Sequence, residues 1–519
     1  MSKPPIIRVI RITVVVLALG FYAFTKSHPS FFAEWGNAKA TSSDSGDPGA
    51  ATPVPQTRQF GKLTLTRCAL GPPQHALYAS VEGFCTNLSV PENWDEPNQH
   101  LIELHLAIIP SHSAGPKPDP VVILDGGPGG AATEDYPGFA AAFAKVLDSR
   151  NIILMDQRGT GSSHALHCDF KDSQEGNLDQ AIDQCLKTLG STTQLQYYTT
   201  TQTTRDLDFI RSQLGVAQWN VFGVSYGTRV AQQYALHFGA STRSLILDSP
   251  VPNTLALSQD HSLNLETALD STYKRCADDA DCQKHYPQLT QSLSTLKAHL
   301  VKAPQTVTIP DPWDAHATTF QITADNFAQT IRLLTYSSVT AALIPYLVNE
   351  ASAGRWQPLA TTVLLVGRSL NPISRNNILE LSILCSEDAD RLKSDEAQKS
   401  TLLGTKMVDG LQRICRRWPK SARPADFNQP LTGAIPTLLL AGREDPVTPV
   451  RYADAIASSL SHAKVLIFEG NGHAQLGSAC TPSILDKFIK TLDFAQLPTA
   501  CINALGPREP IWTINGPKA

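Results

Sequence analysis

The residues with the clearest chemical capacity form the segment G-V-S-Y-G at residues 223–227. An apolar run at residues 219–222 precedes it and predicts a buried strand, and helix-forming residues follow it at 229–236. A serine on a tight turn between a strand and a helix presents its hydroxyl above the sheet, and glycines on both sides relieve the crowding of that turn. The start of the helix also favours developing negative charge. We therefore predict that Ser225 is a nucleophile for acyl transfer.

A serine nucleophile needs a base, and on this kind of turn the acid and the histidine follow the serine in that order along the chain. Of the fourteen histidines, only His462 and His473 follow both Ser225 and a plausible acid. His473 lies in a glycine-containing loop after the apolar strand at residues 464–468, whereas His462 precedes that strand. The sequence therefore predicts His473 as the general base and His462 as a surface residue.

The acid that orients the imidazole should lie in the loop after the apolar run at residues 438–441. Two adjacent carboxylates occupy that loop, Glu444 and Asp445. Their side chains point in different directions, so only one of them can reach His473. Asp445, followed by the rigid Pro446, is the predicted acid, and Glu444 is the alternative.

Acyl transfer also requires hydrogen-bond donors for the oxyanion. The backbone N–H of Tyr226, the residue after the nucleophile, is the first predicted donor. The second should come from the loop after an early strand, where D-G-G-P-G-G at residues 125–130 follows the apolar run 121–124. We predict the N–H of Gly127 as this donor, with Gly126 as the alternative.

Buried apolar runs alternate with helical segments in the part of the chain that carries these motifs. The predicted strands are residues 102–109, 121–124, 151–155, 219–222 and 245–247, and the predicted helices are 133–149 and 201–214. This alternation predicts an α/β fold with a mostly parallel central sheet and helices on both faces.

The alternation stops after residue 250, where helical and loop-like sequence begins and Pro304, Pro310 and Pro312 mark irregular stretches. Strands return only at residues 437–441 and 464–468. We therefore predict a large, mainly helical cap at residues 251–430, inserted after the strand that ends near Asp248. The sheet domain is then divided between residues 60–250 and 431–519.

The composition excludes several classes of protein. The 519 residues are 42% apolar and 17% charged, which rules out a fibrous or low-complexity chain. Lys plus Arg is 43, Asp plus Glu is 47, and no basic block is present, so a nucleic acid is not an expected partner. There is no C-x-x-C pair, and the cysteine spacings suit no common zinc module. We expect neither a metal nor an organic cofactor.

The N-terminus has the pattern of an export signal, with basic residues before an uncharged run at residues 12–24. That run is shorter than the roughly 20 residues of a membrane-spanning helix, although residues 6–24 could extend it into a membrane tether. We predict a signal peptide or an N-terminal membrane anchor at residues 1–40 and a linker at 41–59. The protein should be exported to the periplasm or secreted.

The ten cysteines agree with export, because disulfides persist in oxidising compartments. Sequence alone permits about 945 pairings. Pairing of neighbours stands out because each pair would close a short loop within one region, although the connectivity stays open at this stage. The neighbouring pairs are Cys68 and Cys85, Cys168 and Cys185, Cys276 and Cys282, Cys385 and Cys415, and Cys480 and Cys501.

Five motifs follow one another along the chain, namely G-G-P-G at 126–129, D-Q-R-G-T-G-S-S at 156–163, G-V-S-Y-G at 223–227, D-P-V-T-P at 445–449 and G-H at 472–473. Together they resemble the proline iminopeptidase and tripeptidyl aminopeptidase branch of the α/β-hydrolases, over about residues 60–505. The secreted bacterial tripeptidyl-aminopeptidase-like subgroup is the more similar. In this family the motif at 156–163 braces the sheet edge. One position departs, because Asp125 stands where many proline iminopeptidases have histidine, so strict proline specificity is not implied.

The resemblance implies a serine exopeptidase that removes residues from the free N-terminus of short peptides. It also implies a cap carboxylate that binds the α-ammonium group, and the segment 385–390 offers Glu387 and Asp388 as candidates. The alternative for this segment is a solvated acidic helix start with Ser386 as its N-cap. Two other functions remain open, an esterase or amidase with the same triad and a non-catalytic binding protein.

Overall fold

The computed structural model describes residues 56–71, 80–168, 178–312, 314–373, 377–504, 506 and 509–512, apart from the side chains of 368–373 and 377. The predicted signal peptide or anchor, its candidate tether at 6–24 and the linker as far as residue 55 lie outside the described residues. No helix within the described residues is long and apolar enough to cross a membrane. Residues 55–519 form one compact unit, which contains both parts of the predicted sheet domain and the insert.

The strands of the described residues form a large sheet and a separate hairpin. The strands are β1 (Thr57–Phe60), β2 (Leu63–Leu70), β3 (Val81–Pro91), β4 (Leu101–Ile109), β5 (Val121–Leu124), β6 (Ile152–Met155), β7 (Trp219–Val224), β8 (Thr242–Asp248), β9 (Gln305–Pro310), β10 (Ala317–Ile322), β11 (Thr437–Gly442) and β12 (Ala463–Phe468). The large sheet has the order β1-β2-β3-β4-β6-β5-β7-β8-β11-β12, and the hairpin consists of β9 and β10.

The neighbouring strands β6, β5, β7, β8, β11 and β12 are parallel to one another, and β1 to β4 form an antiparallel edge beside β6. The predicted mostly parallel sheet is therefore confirmed, but the edge strands β1 to β3 were not predicted. The linker prediction was also wrong at its end, because residues 57–59 belong to β1. Gly61, at φ +58°, makes the tight turn that pairs β1 with β2.

The helices of the described residues lie between the strands, in the insert and at the C-terminal side. They are α1 (Ala132–Phe139), α2 (Leu178–Leu189), α3 (Thr200–Gln213), α4 (Tyr226–His237), α5 (His261–Asp278), α6 (Ala280–His285), α7 (Leu289–Lys302), α8 (Ala324–Leu334), α9 (Ser338–Ala341), α10 (Ile344–Ser352), α11 (Gln357–Ile373), α12 (Asn377–Glu387), α13 (Glu396–Lys399), α14 (Lys406–Cys415), α15 (Val450–Ala457), α16 (Thr481–Thr491) and α17 (Ala500–Asn503).

Apolar side chains of these helices cover both faces of the sheet. On one face α3, α4 and α15 pack against the strands, and on the other α1 and α16 do so. Strand β7, which leads to Ser225, is buried along its whole length. A strand covered on both faces reads as a continuous apolar run, which is why β5, β6 and β7 were visible in the sequence.

The chain between β8 and β11 is mainly helical, containing α5 to α14 and one hairpin. The hairpin β9–β10 was not predicted, because the prolines of this region suggested irregular structure. Instead, Pro304 precedes β9 and Pro310 ends it, so the strand lies between them. Alternate side chains of β9 are buried, as expected for a strand with one face on a core. This region has an apolar core of its own, and α12 also packs on the sheet domain.

All ten cysteines lie in disulfides, and the five bonds join the neighbouring pairs that stood out in the sequence. Three of the bonds lie in the sheet domain, and two lie in the insert. The bond between Cys385 and Cys415 joins α12 to α14. Each bond closes a loop of 6 to 30 residues in sequence separation, so each restricts the unfolded chain locally.

The segment 156–163 braces the sheet at the end of β6. Asp156 accepts hydrogen bonds from the N–H and hydroxyl of Thr133 at the start of α1, at 2.9 Å each. Arg158 is fully buried and forms a fork with both carboxylate oxygens of Asp206, at 2.8 and 2.7 Å. The guanidinium also donates to the carbonyl oxygen of Glu92, so α3 and the end of β3 are held together by one buried cation.

We predict that Asp206→Asn lowers the free energy of unfolding by about 3–5 kcal/mol, because it leaves the Arg158 charge buried without its counterion. Chemical denaturation followed by circular dichroism measures this loss. Arg205→Gln is the matched control, since Arg205 pairs with Asp95 at an exposed position, and it should cost less than about 1 kcal/mol. Equal losses in the two variants would contradict a bracing role for the buried pair.

Candidate active site

Ser225 lies between β7 and α4, at the carboxyl edge of the parallel strands. Its backbone has φ 53° and ψ −122°, a strained conformation for a residue with a side chain. The turn is tight on both sides. A Cβ atom on Gly223 would lie 2.4 Å from the carbonyl oxygen of Gly227, and one on Gly227 would lie 2.1 Å from that of Leu124. The two glycines of the motif are therefore required by the close packing of the turn.

The loop 125–130 lies directly against this turn. A Cβ atom on Gly126 would come within 3.0 Å of the Ser225 Cβ atom. The N–H of Gly126 is already used, because it donates to the Oδ1 atom of Asp125 at 2.6 Å. Gly127 is exposed, with φ +108°, and its N–H has no acceptor among the described residues. Of the two predicted glycine donors, Gly127 is thus the one with an N–H available for substrate.

Tyr226 is the first residue of α4, so its N–H has no acceptor within the helix. Its hydroxyl is buried and hydrogen-bonded to the hydroxyl of Thr200 at 2.7 Å. This contact fixes the side chain away from the turn and leaves the N–H at the start of the helix beside Ser225. The role of Tyr226 as an oxyanion donor stays a prediction.

His473 and Asp445 are joined by a hydrogen bond of 2.8 Å between Nδ1 and Oδ2. Asp445 follows β11 and His473 follows β12, two strands on the same side of β8. The backbone N–H groups of Val447 and Thr448 donate to Oδ1 of Asp445, and the hydroxyl of Thr448 donates to Oδ2. The sequence reasoning missed Thr448, although it lies in the quoted motif 445–449.

The electrostatics of this pair suit a base and its orienting acid. Burial alone would raise the pKa of Asp445, but the charge and hydrogen bond of His473 and the donors of Thr448 lower it to about 2. Burial also acts against the charged imidazole, yet the carboxylate of Asp445 raises the pKa of His473 above its ordinary value. Asp445 is therefore ionised, and it leaves Nε2 of His473 as the nitrogen that can accept a proton.

Asp248, at the end of β8, joins the serine turn to the histidine loop. Its carbonyl oxygen accepts the N–H of Ser225 at 2.9 Å, and its carboxylate accepts the N–H of Gln475 at 2.8 Å. Burial raises the pKa of Asp248 to about 7. The sequence reasoning used this residue only as a boundary, but its place at the end of a buried strand was a usable signal. No hydrogen bond of the described residues joins His473 to Ser225, a contact that often forms only when substrate binds.

The insert contacts the candidate base directly. The carbonyl oxygen of Tyr336 accepts the backbone N–H of His473 at 2.7 Å, and the two rings meet edge to face with centroids 5.2 Å apart. Arg332 donates to the Tyr336 hydroxyl at 2.8 Å and has no carboxylate partner among the described side chains. Tyr336 and Arg332, neither of which was predicted, therefore place one cation of the insert near the site.

Glu380 of α12 is a carboxylate of the insert on which the charge of Arg332 acts. Burial raises its pKa to about 7, and the charge of Arg332 acts in the opposite direction. Glu380 has no hydrogen-bond partner among the described side chains, and it lies seven residues before Glu387 on the same helix. A sequence search confined to the segment 385–390 could not have found it, although the spacing of seven residues places both on one helical face.

Glu387 and Asp388, the predicted ligands of a substrate ammonium, both have partners inside the protein. Glu387 accepts the N–H and the hydroxyl of Thr200 at 2.7 and 2.8 Å, and Asp388 forms an ion pair of 2.7 Å with the buried Arg229. Burial raises the pKa of Glu387 to about 7. The alternative of a solvated helix start was wrong, because both residues are buried at the end of α12. Their role toward substrate stays a prediction.

The two residues considered as alternatives in the triad lie elsewhere. Glu444 pairs with Arg275 of the insert, with Nη1 and Oε1 2.6 Å apart. His462 is exposed before β12, and its ring packs against Phe494. Among the described residues, no group of three or more histidine, cysteine, aspartate or glutamate side chains is arranged to hold a metal ion.

A parallel sheet with a serine on a strained turn and an acid–histidine pair at the same edge defines a serine hydrolase of the α/β type. The family model described as alpha/beta hydrolase fold matches residues 119–478. This match covers more than half of the chain, and the protein belongs to the alpha/beta hydrolase fold family. The fold class predicted from the sequence is confirmed.

Among curated proteins, the chain is similar to relatives that are named as peptidases. It is 24% identical over 462 residues to the serine protease Hip1 of Mycobacterium tuberculosis, covering 78% of this chain and 84% of the relative. It is 26% identical over 215 residues to the tripeptidyl aminopeptidase of Streptomyces lividans, covering 37% and 40%. The resemblance found in the motifs is thus confirmed, and the protein is a serine hydrolase with peptidase relatives.

Solved structures include a crystal structure of the proline iminopeptidase of Mycobacterium smegmatis. It matches with a TM-score of 0.37 and 15% identity, over 79% of this chain and 99% of that one.

We predict that Asp445→Asn lowers kcat by a factor on the order of 10⁴ while the fold is retained, because the imidazole loses the acceptor that selects its tautomer. Turnover of an activated ester, with circular dichroism for the fold, measures this loss. Glu444→Gln is the control at the adjacent position and should stay within a few-fold of wild type. If Glu444→Gln gave the large loss and Asp445→Asn the small one, the acid would be Glu444.

The pH dependence follows from the raised pKa of His473. The base works only when the imidazole is neutral, so activity should be present above the His473 pKa and fall as the pH drops through it. Because this pKa is raised, the acid limb of kcat/KM should have its midpoint above about 6.5. Asp445→Asn removes the stabilising charge and should move the residual activity's midpoint to lower pH. An unchanged midpoint in that variant would contradict the proposed coupling.

Proposed function

We propose that the protein is an exported serine exopeptidase that hydrolyses short peptides from their free N-terminus. Ser225, His473 and Asp445 form its triad, and the N–H groups of Tyr226 and Gly127 stabilise the oxyanion. The observation that carries the proposal is the contact of the insert with the loop of the candidate base, in which the Tyr336 carbonyl oxygen accepts the His473 backbone N–H at 2.7 Å. An insert attached to the base at this edge of the sheet restricts the approach of long chains.

The reaction follows from the geometry of these groups. Ser225 Oγ attacks the peptide carbonyl carbon while Nε2 of His473 takes its proton, and the negative charge collects on the carbonyl oxygen. His473 then gives the proton to the leaving amine, and the carbon–nitrogen bond breaks. Water, deprotonated by the same imidazole, hydrolyses the acyl-enzyme. Asp445 stays ionised throughout and stabilises the imidazolium.

Residues 251–430 act as the cap that selects the substrate in this proposal. Peptidase names among the relatives support a peptide substrate, and one of those relatives is named as a tripeptidyl aminopeptidase. Glu380 supports recognition of a free α-ammonium group, because it is an acid of the cap without an internal hydrogen-bond partner among the described side chains. The nearby charge of Arg332 keeps a fraction of it ionised despite burial.

Export is part of the proposal because the described fold contains five disulfides. Such bonds persist in the periplasm or outside the cell and are rare in the cytosol. The export segment expected at residues 1–40 either is removed or tethers the enzyme to a membrane through residues 6–24.

The test compares aminoacyl, dipeptidyl and tripeptidyl fluorogenic substrates with and without N-terminal acetylation. Acetylation should abolish most turnover, and a fluorophosphonate probe should label wild type but not Ser225→Ala. Equal turnover of acetylated and free substrates, with fluorophosphonate labelling intact, would overturn the exopeptidase proposal and favour an esterase or amidase instead. Absence of labelling in the wild type would overturn the assignment of Ser225 as the nucleophile and favour a non-catalytic binding protein.

We predict that Glu380→Gln lowers kcat/KM for free-amino substrates by about 10- to 100-fold, the loss expected when a hydrogen bond to a charged group is removed. Turnover of an acetylated ester should not change. Glu387→Gln, at the ligand predicted from the sequence, is the comparison on the same helix. Because the Glu387 carboxylate already accepts two hydrogen bonds from Thr200, this variant should reduce thermal stability and should change the preference for a free amino group less than Glu380→Gln does. If Glu387→Gln alone lost that preference, the ammonium ligand would be Glu387 instead.

A further inference from the structure

Asp125 is a buried acid beside the oxyanion loop, and neither the triad nor the proposed reaction uses its side chain. It is 9% exposed, and its Oδ1 atom accepts the N–H of Gly126 at 2.6 Å. Its Oδ2 atom is fully buried and accepts no N–H or hydroxyl group of the described residues, and the side chain that hydrogen-bonds to the Asp125 carboxyl is the carboxyl of Asp135. Two buried carboxyl groups can form such a hydrogen bond only when one of them carries a proton.

The backbone of Asp125 lies against the start of α4. A Cβ atom on Gly227 would lie 2.7 Å from the carbonyl oxygen of Asp125, and that same oxygen accepts the side-chain amide of Gln157 at 3.1 Å. A Cβ atom on Gly130 would lie 2.9 Å from the carboxyl carbon of Asp125, so the loop 125–130 folds around this side chain. Asp125 is therefore enclosed by the loop and the serine turn together.

The charged group that faces Asp125 is acidic. It is Asp135 of α1, whose own surroundings include the carboxylates of Glu134 and Asp156; within the described residues no Lys, Arg or His forms an ion pair with Asp125. Burial, followed by the charge of Asp135, raises the pKa of Asp125 well above its usual range. The neutral carboxylic acid is thus the stable form of Asp125 in the folded protein.

We propose that Asp125 is a positioning residue of the oxyanion loop that acts as a neutral carboxylic acid. By accepting the Gly126 N–H it fixes the peptide plane between Asp125 and Gly126. The next plane is held by the Gly130 N–H, which donates to the Gly126 carbonyl oxygen at 3.0 Å, and the Gly127 N–H is left for the substrate oxyanion. A negative charge at this position would oppose the negative charge that develops on the substrate, and little solvent is present to screen it. The inference rests on the proposed nucleophile and oxyanion hole but not on the choice of peptide substrate.

The first experiment compares Asp125→Asn with Asp125→Ala in the full-length protein, using an activated ester at neutral pH. Asparagine keeps the Oδ1 acceptor and is always neutral, so kcat should stay within about threefold of wild type. Alanine removes the acceptor, and kcat should fall by about 10- to 100-fold with little change in KM, somewhat less than the loss of an oxyanion donor itself. A loss in Asp125→Asn as large as in Asp125→Ala would overturn the proposal.

The second experiment uses pH, which a merely structural role would not affect. As the pH rises through the Asp125 pKa, wild-type kcat should fall because the carboxyl ionises beside the oxyanion, whereas Asp125→Asn should keep its activity. Asp135→Asn is the control, and it should move the wild-type alkaline limb to lower pH, because the neighbouring charge and carboxyl hydrogen bond that raise the Asp125 pKa are removed. The same alkaline limb in wild type and Asp125→Asn would contradict a neutral acid at this position.

Infrared difference spectroscopy supplies a readout independent of turnover. The C=O stretch of a protonated carboxylic acid should be present in wild type at neutral pH and reduced in Asp125→Asn. An unchanged band would show that Asp125 is ionised and would overturn the inference. Fluorophosphonate labelling in parallel distinguishes a failure of the proposed nucleophile from a failure of the role proposed for Asp125. Absence of labelling in the wild type would contradict the nucleophile, whereas normal labelling with an unchanged infrared band would contradict only the role of Asp125.

Discussion

The strained backbone at Ser225 is the constraint on which the rest of the site depends. A residue with φ 53° and ψ −122° is held only where its neighbours leave no lower-energy arrangement. Here Gly227 packs directly on the carbonyl oxygen of Leu124, Gly126 packs on Ser225 itself, and the Ser225 N–H is hydrogen-bonded to the end of β8. Three adjacent strands thus determine where the hydroxyl lies, and every other group of the site is arranged around that position.

Asp248 carries this constraint from the serine to the histidine. Its carbonyl oxygen holds the serine turn, and its carboxylate holds Gln475, two residues after His473. Strands β7, β8, β11 and β12 are parallel neighbours, so their carboxyl ends already lie at one edge. The sheet sets the approximate separation of the loops, and the hydrogen bonds of Asp248 set their relative orientation. The insert adds a second restraint through Tyr336 on His473.

The sequence was sufficient for the features that depend on local pattern, and insufficient where distant segments meet. Ser225 and Asp445 were proposed because each follows a buried strand, and His473 because it follows the apolar run of β12, and these are local features. Strands β1 to β3 were not predicted, because these half-buried strands lack the continuous apolar run of β7. The partners of Glu387 could not be predicted either, since Thr200 is distant in sequence and is brought close only by packing of α12 on the sheet domain.

The distribution of charge among the buried acids gives the site its polarity. Asp445 remains ionised because His473 and three hydrogen bonds from the following residues outweigh its burial. Within the described residues neither Asp125 nor Asp248 forms an ion pair, and burial raises the pKa of both. In the proposed site, Asp125 is an uncharged acid on the side nearest the oxyanion loop, and the negative charge of Asp445 lies behind the imidazole. This arrangement would stabilise the imidazolium and the oxyanion of the proposed reaction together, whereas a second carboxylate beside the oxyanion loop would stabilise only the first.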